Sequence, residues 1–364
     1  MRKPFSETGR LALRVAWTSL CERGFAGAVR LAYDRFNKLP LMEFGIRPLL
    51  LPFRVKHLSG PQRAAEGQAD VIVISVVRNG ALWIRSFLHH HRAKGVRHFV
   101  ILDNGSTDRT VELLSNFADV TLLQTNAPYS AYENTMKRYL AKKYCSGLWC
   151  LCVDVDELFD YPGSDILPLL NFLEYCDSNG YNAVVTQMLD MFSDVPLRDV
   201  RSSIDDDIFS IYRYYDITAI GRTPYLYNVP DDRIQMHRGG IRKAVFGTDN
   251  GLTKISLFRM DGVLKPFVQW HHAEGARIAD VSTVLLHYPF VQSFYAKVVD
   301  AVRDGRYGYL TSDEYALYLD SLTRDPEVRL KLSTASLLKD VNQLDKEGFL
   351  ITSSRYRICL SQGR

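Results

Sequence analysis

The chain has no apolar run near the roughly 18 residues that a membrane-crossing helix needs. Its six cysteines (Cys21, Cys145, Cys150, Cys152, Cys176 and Cys359) lack metal-finger spacing and small-scaffold spacing. That excludes a zinc ribbon and a disulfide framework. Cys150 and Cys152 sit inside an apolar run and read as reduced core residues, so a reducing compartment is expected. One-sign charge is also lacking: the net charge is +4 with 24% charged residues, and no nucleic-acid partner is expected. The opening MRKPFSETGR lacks the apolar region of a signal peptide, which points to a cytoplasmic protein. There is no internal repeat and no low-complexity tract. What is present is ordinary globular composition, 46% apolar over 364 residues. That is enough for one large α/β domain with extensions, or for two ordinary domains.

Residues 8–37 read as a helix with Leu13, Trp17 and Leu20 on one face. Residues 1–38 hold eight Lys/Arg and three Asp/Glu. Such a basic amphipathic segment either packs on the main domain or makes peripheral contact with the inner face of an anionic membrane. Leu39 to Phe53 is the longest apolar stretch outside the expected core, broken by Glu43, Arg47 and prolines. Residues 58–70 read as a polar linker. This divides the chain into an N-terminal helical extension and linker (1–68), a main domain (69–310) and a C-terminal helical region (311–364).

A dense alternation then begins. VIVISVV (71–77), HFVILDN (98–104), residues 120–124 and residues 148–153 predict strands. Residues 81–94, a segment from Ser106 or Thr107 to Phe117, and residues 131–144 predict the helices between them. Short apolar strands alternating with helices argue for a mostly parallel sheet. Further strands are expected at 182–192, 252–259 and 281–288, and helices at 290–304 and 312–322. The tail from Pro326 reads as helical, then frayed.

In parallel sheets, ligands bind beyond the carboxyl ends of the strands. Here those ends read VVRNG, LDNGSTD and VDVDE. In the last, Asp154 and Asp156 are two residues apart, so a strand would point both to one face. Two carboxylates that leave several positions open suit Mg²⁺ or Mn²⁺ carrying substrate phosphates. The bland alternative is a pair of solvated carboxylates at a strand end. Arg78 could pair with a phosphate. Asp103 could accept hydrogen bonds from ribose or base, with Asn104-Gly105 forming the turn and Ser106 opening a helix. An ordinary Asx turn would satisfy the same residues.

Taken together, VISVVRNG, HHHRAKGV, HFVILDNGSTDRT and DVDELF resemble a family 2-like glycosyltransferase. The likeness covers residues 71–160 well and extends toward residue 305. It implies the GT-A fold: a Rossmann-like, mostly parallel central sheet flanked by helices, with helical N- and C-terminal extensions. It implies transfer of a sugar from a nucleotide-sugar donor (a UDP- or GDP-sugar) to a glycan or lipid-linked acceptor. By the same resemblance Arg78, Asn79, Asp103, Asn104, Ser106 and Asp154 contact the donor. Asp154 and Asp156 form the DxD motif on Mn²⁺ or Mg²⁺, and His287 supplies a third metal ligand. Gly80 departs from the family pattern, which has Glu after Asn.

The basic glycine loop QMHRGGIRKAVF offers Arg238, Arg242 and Lys243 to a diphosphate. Asp190 and Glu274, with Asp249 as a third, are candidates for the carboxylate base of an inverting enzyme. His271 and His272 beside Trp270 suit an acceptor pocket. Two other classes compete. A haloacid-dehalogenase-like phosphatase would use the first Asp as nucleophile, but Leu158 and the motif's late position disagree with it. A non-catalytic carbohydrate- or nucleotide-binding module would need no intact DxD.

Overall fold

The structure is a computed structural model that describes residues 39–62, 70–227, 229–269, 272–304 and 309–362. The expected helix at 8–37 and the Trp270–His271 pair lie outside the described residues.

A nine-stranded sheet organises the chain. Its strands are β1 (Lys56–Ser59), β2 (Val71–Val77), β3 (Phe99–Asp103), β4 (Val120–Gln124), β5 (Trp149–Cys152), β6 (Glu157–Asp160), β7 (Ala183–Asp190), β8 (Thr253–Arg259) and β9 (Thr283–His287). Their spatial order is β1-β4-β3-β2-β5-β8-β7-β9-β6. β2 to β5 pair in parallel, as do β7 and β9. β8 runs antiparallel to both β5 and β7, and β1 and β6 are antiparallel edges. The expected α/β, mostly parallel, Rossmann-like sheet is observed.

The apolar runs explain it. All seven residues of β2 are buried, with Val71, Val73 and Val77 in one core cluster and Ile72, Ile74 and Val76 in the other. A strand buried on both faces has no need of a polar alternation. Helix α1 (Ile84–Ala93) covers one face and α3 (Tyr129–Tyr144) the other. α2 (Thr110–Leu114) and α4 (Leu169–Ser178) share the face covered by α1. A third cluster holds α5 (Ile241–Phe246), α6 (Phe294–Asp304) and α7 (Tyr309–Arg324) together through Phe246, Phe290, Phe294 and Tyr318.

The HHHR run has a structural role. His90 Nε2 donates to the Phe159 carbonyl at 2.7 Å, and His91 Nε2 accepts from the Phe159 N–H at 3.3 Å. Burial lowers both histidine pKa values, so both rings are neutral. Two neutral imidazoles thus satisfy the open backbone of edge strand β6, which would otherwise invite pairing.

Three expectations change. The linker reading of 58–70 overlooked β1, which pairs with β4 at its start. ELFD, which follows directly on the second aspartate, is itself edge strand β6. The tail is docked: Tyr356 is fully buried against Phe172 and Tyr175, and its hydroxyl donates to the Pro162 carbonyl at 2.7 Å. Tyr356→Ala should therefore lower the unfolding free energy by about 3–5 kcal/mol in urea titrations, the usual cost of truncating a buried aromatic. A change near zero would restore the frayed reading.

Candidate functional site

From β2 the chain steps to β3 and β4 on one side, then returns to β5 on the other. The carboxyl ends of β2 and β5 therefore flank the topological switch point, where open α/β sheets bind ligands. Arg78 and Asn79 follow β2 and are exposed there. Asp154 and Asp156 follow β5, but β5 ends at Cys152, so they occupy a turn. The shared strand face expected for them is not what unites them. Glu157 fixes the turn instead: its carboxylate accepts from the Asp154 N–H at 3.0 Å, and its own N–H donates to the Asp154 carbonyl at 2.9 Å.

The two aspartates face different partners. Asp154, about one-third exposed, lies 3.7 Å from Lys137 Nζ on α3 and 3.8 Å from Lys254 Nζ on β8. Lys254 also ion-pairs with buried Glu157. Burial pushes the Asp154 pKa up, but the two lysines outweigh it and lower it. Asp156 Oδ2 lies 3.6 Å from His287 Nε2, and its carbonyl accepts from the Tyr288 N–H.

His287 ends β9 beside Asp190 at the end of β7. Its Nδ1 donates to Asp190 Oδ1 at 2.6 Å. Arg242 on α5 grips both Asp190 oxygens at 2.8 Å. Arg242 is in turn held by Glu314 on α7, which accepts from Asn250 at 2.6 Å and pairs with Tyr318. Burial alone would lower the His287 pKa; the hydrogen bonds and charges of Asp156 and Asp190 raise it to about 9. A protonated imidazole therefore bridges two carboxylates.

Several expected roles are corrected. Asp190 is held in a buried ion pair rather than open to an acceptor: despite burial, Arg242 and His287 hold its pKa well below the carboxylate range. Arg242 is committed to it and does not close over a diphosphate. Arg238 and Lys243 are exposed but paired with Asp249, at 3.3 and 3.4 Å. Glu274 pairs with Lys265 at the opposite sheet edge. The next residue, Gly275, bonds Asn182, just before the start of β7. The eight residues of β7 separate that edge from Asp190 by roughly 25 Å. Of the three base candidates, Asp249 alone is exposed at the edge carrying the DxD turn.

Asp103 is fully buried; it accepts from the Gly105 and Ser106 N–H groups and from Gln124. Asn104 donates to the Thr125 and Ala127 carbonyls. These are the bonds of an Asx turn, which account for the buried carboxylate without a ligand. The helix α2 begins at Thr110, so Ser106 does not cap it; Ser106 accepts from the Asn79 N–H at 2.8 Å. At Gly80 a Cβ would meet Val77 and Val155 at 2.5 and 2.9 Å, so the family's Glu has no room under the DxD turn.

Among the described residues, no group of three His, Cys, Asp or Glu side chains is gathered to hold a metal ion. Sequence reasoning also missed Lys137, Lys254, Glu157 and Glu314. A lysine inside the apolar strand TKISLF was the available signal for Lys254.

No protein-family model matches the chain, and no curated protein matches it. Among solved structures, HddC from Yersinia pseudotuberculosis is similar over 63% of this chain and 97% of its own, at 8% identity and a TM-score of 0.31. The inositol-1-phosphate CTP transferase from T. maritima is similar over 82% of this chain and 98% of its own, at 9% identity and a TM-score of 0.25. Likenesses this loose say nothing about activity.

The His287 bridge has a pH signature. Its folded pKa of about 9 exceeds the ordinary 6.5, so its stabilisation is full below pH 6.5 and is lost as pH rises through 9. The melting temperature of the wild-type chain should fall across that window more steeply than that of His287→Gln. Parallel profiles would contradict the bridge.

Proposed function

We propose that the chain is a nucleotide-sugar-dependent glycosyltransferase whose donor diphosphate binds at the DxD turn. One observation carries the reading: at the switch point, partly exposed Asp154 is flanked by two lysines beside an Asp156–His287 pair that is braced from behind. Lys137 and Lys254 supply positive charge where a diphosphate would lie. Arg78, at the tip of β2, stands at the same edge.

A divalent ion fits these residues in part. His287 turns Nε2 toward Asp156 while donating its other N–H to Asp190, the arrangement that orients metal-bound histidines. Two protein ligands suit Mg²⁺ or Mn²⁺ when phosphate oxygens and water complete the shell. Asp156 and His287 would hold the ion, and Asp190 and Arg242 would position His287. Such an ion supplies charge neutralisation to a leaving nucleoside diphosphate. Asp154 is left to the lysines and the donor. Asp249 is the carboxylate that this reading assigns to the acceptor side, released from Arg238 and Lys243 when an anionic donor claims them.

Thermal shift with UDP or GDP, with and without Mn²⁺, tests the reading. Stabilisation should require nucleotide and metal together. Asp156→Asn should weaken Mn²⁺-dependent nucleotide binding at least about tenfold with an unchanged far-UV spectrum. Stabilisation by beryllium fluoride but by neither nucleotide would favour the phosphatase alternative and overturn this reading.

A second expectation concerns the ion. His287 must lose its Nε2 proton to bind metal, so Mn²⁺ affinity should rise about tenfold per pH unit below its pKa of about 9. Titration calorimetry between about pH 6 and 8 measures this. A pH-independent affinity would remove His287 from the ligand set.

A further inference from the structure

Leu41 to Arg54 forms one helical rod of π, α and 3₁₀ turns that packs on α3. Its polarity is inverted. Glu43, Arg47 and Leu51, at four-residue spacing, face inward; Glu43 pairs with Arg47 at 3.2 Å and with Arg138 of α3 at 2.6 Å. Arg138 also donates to the Glu43 and Phe267 carbonyls. The outward face carries Leu41, Leu49 and Phe53, exposed by 70%, 71% and 90%. Ile46 and Leu50 extend it, while Phe44 stacks its ring on Arg138 of α3. Contiguous exposed apolar surface of this kind marks an interaction site.

We propose that this face seats in the interfacial layer of an anionic lipid bilayer. The charges around it select that occupant. Glu43 is the one acid between residues 39 and 62, and it is turned inward. Arg54 and Lys56 are exposed at the end of the rod, and the preceding 38 residues hold eight basic and three acidic residues. A second copy docked isologously would bring the same surface, which turns no acid outward between residues 39 and 62, against these cations. Residues 1–38 folded over the face would bring like charge to Arg54 and Lys56. An anionic surface answers both. At 1.5 Å per residue the rod spans about 20 Å, suited to lying in the interface plane with its leucines and phenylalanine immersed. Among the described residues no helix is long and apolar enough to cross a membrane. The inference does not depend on the transfer chemistry.

Co-sedimentation of the full chain with phosphatidylcholine vesicles, with and without phosphatidylglycerol, tests it. The wild type should bind the anionic vesicles, and the double variant Leu49→Glu/Phe53→Glu should lose at least about tenfold in partitioning with an unchanged melting temperature. Should that variant misfold, Phe53→Trp provides a gentler probe, whose emission should shift to the blue on anionic vesicles. Four results would overturn the proposal: equal binding by the double variant, an unshifted Phe53→Trp emission, vesicle binding only after deletion of residues 1–38, or no vesicle binding with a dimer that the double variant dissociates.

Discussion

The site depends on how one buried carboxylate is kept charged. Asp190 is 4% exposed, and removing a carboxylate from water costs several kcal/mol unless its partners are good. Arg242 meets both of its oxygens, and His287 meets one. A unit charge pair at ~4 Å and an effective dielectric of about 20 is worth about 4 kcal/mol, so the arginine is what makes the burial tolerable. Everything beyond follows in order. Asn250 braces Glu314, Glu314 holds Arg242, Arg242 holds Asp190, Asp190 fixes the His287 ring, and His287 presents Nε2 to Asp156. Residues from β7, β9, α5 and α7 thereby converge on one turn after β5.

The same chain of contacts explains why so much of the fold was legible and so much of the site was not. Parallel strands buried on both faces read as unbroken apolar runs, so β2 to β5 announce themselves. Edge strands β1 and β6 do not, because His57 and Glu157 interrupt them and their neighbours define them. The DxD turn was legible in its residues and misread in its geometry, since an i, i+2 spacing means a shared face only inside a strand. Asp103 shows the converse: LDNGSTD satisfies a donor-binding reading and an Asx turn alike, and only its hydrogen bonds distinguish the two. Arg242 and Asp190 are 52 positions apart, and no local pattern joins a glycine-loop arginine to a strand-end aspartate.

The N-terminal rod repeats the lesson in another place. In sequence, Glu43 and Arg47 break the apolar stretch and argue against a lipid-facing segment. In the fold they turn inward, and their charges are matched to Arg138 and to each other. A charge that breaks a hydrophobic run lowers its membrane affinity only when that charge faces the membrane.

Helix α3 joins the two features. Lys137 and Arg138 are consecutive, and successive residues on an α-helix diverge by about 100°. Lys137 therefore reaches the DxD turn while Arg138 reaches the rod. Both are largely buried cations: Lys137 pairs with Glu133 of its own helix at 3.0 Å and lies 3.7 Å from Asp154, while Arg138 is matched to Glu43 at 2.6 Å, so the rod cannot slide along α3 without stranding a charge. One rigid helix thus sets the distance between the apolar face and the switch-point edge. If the face lies on lipid, the Asp154 turn stands at a fixed height above it. A ligand carried in the same bilayer would then meet that turn by lateral diffusion, without the protein leaving the surface.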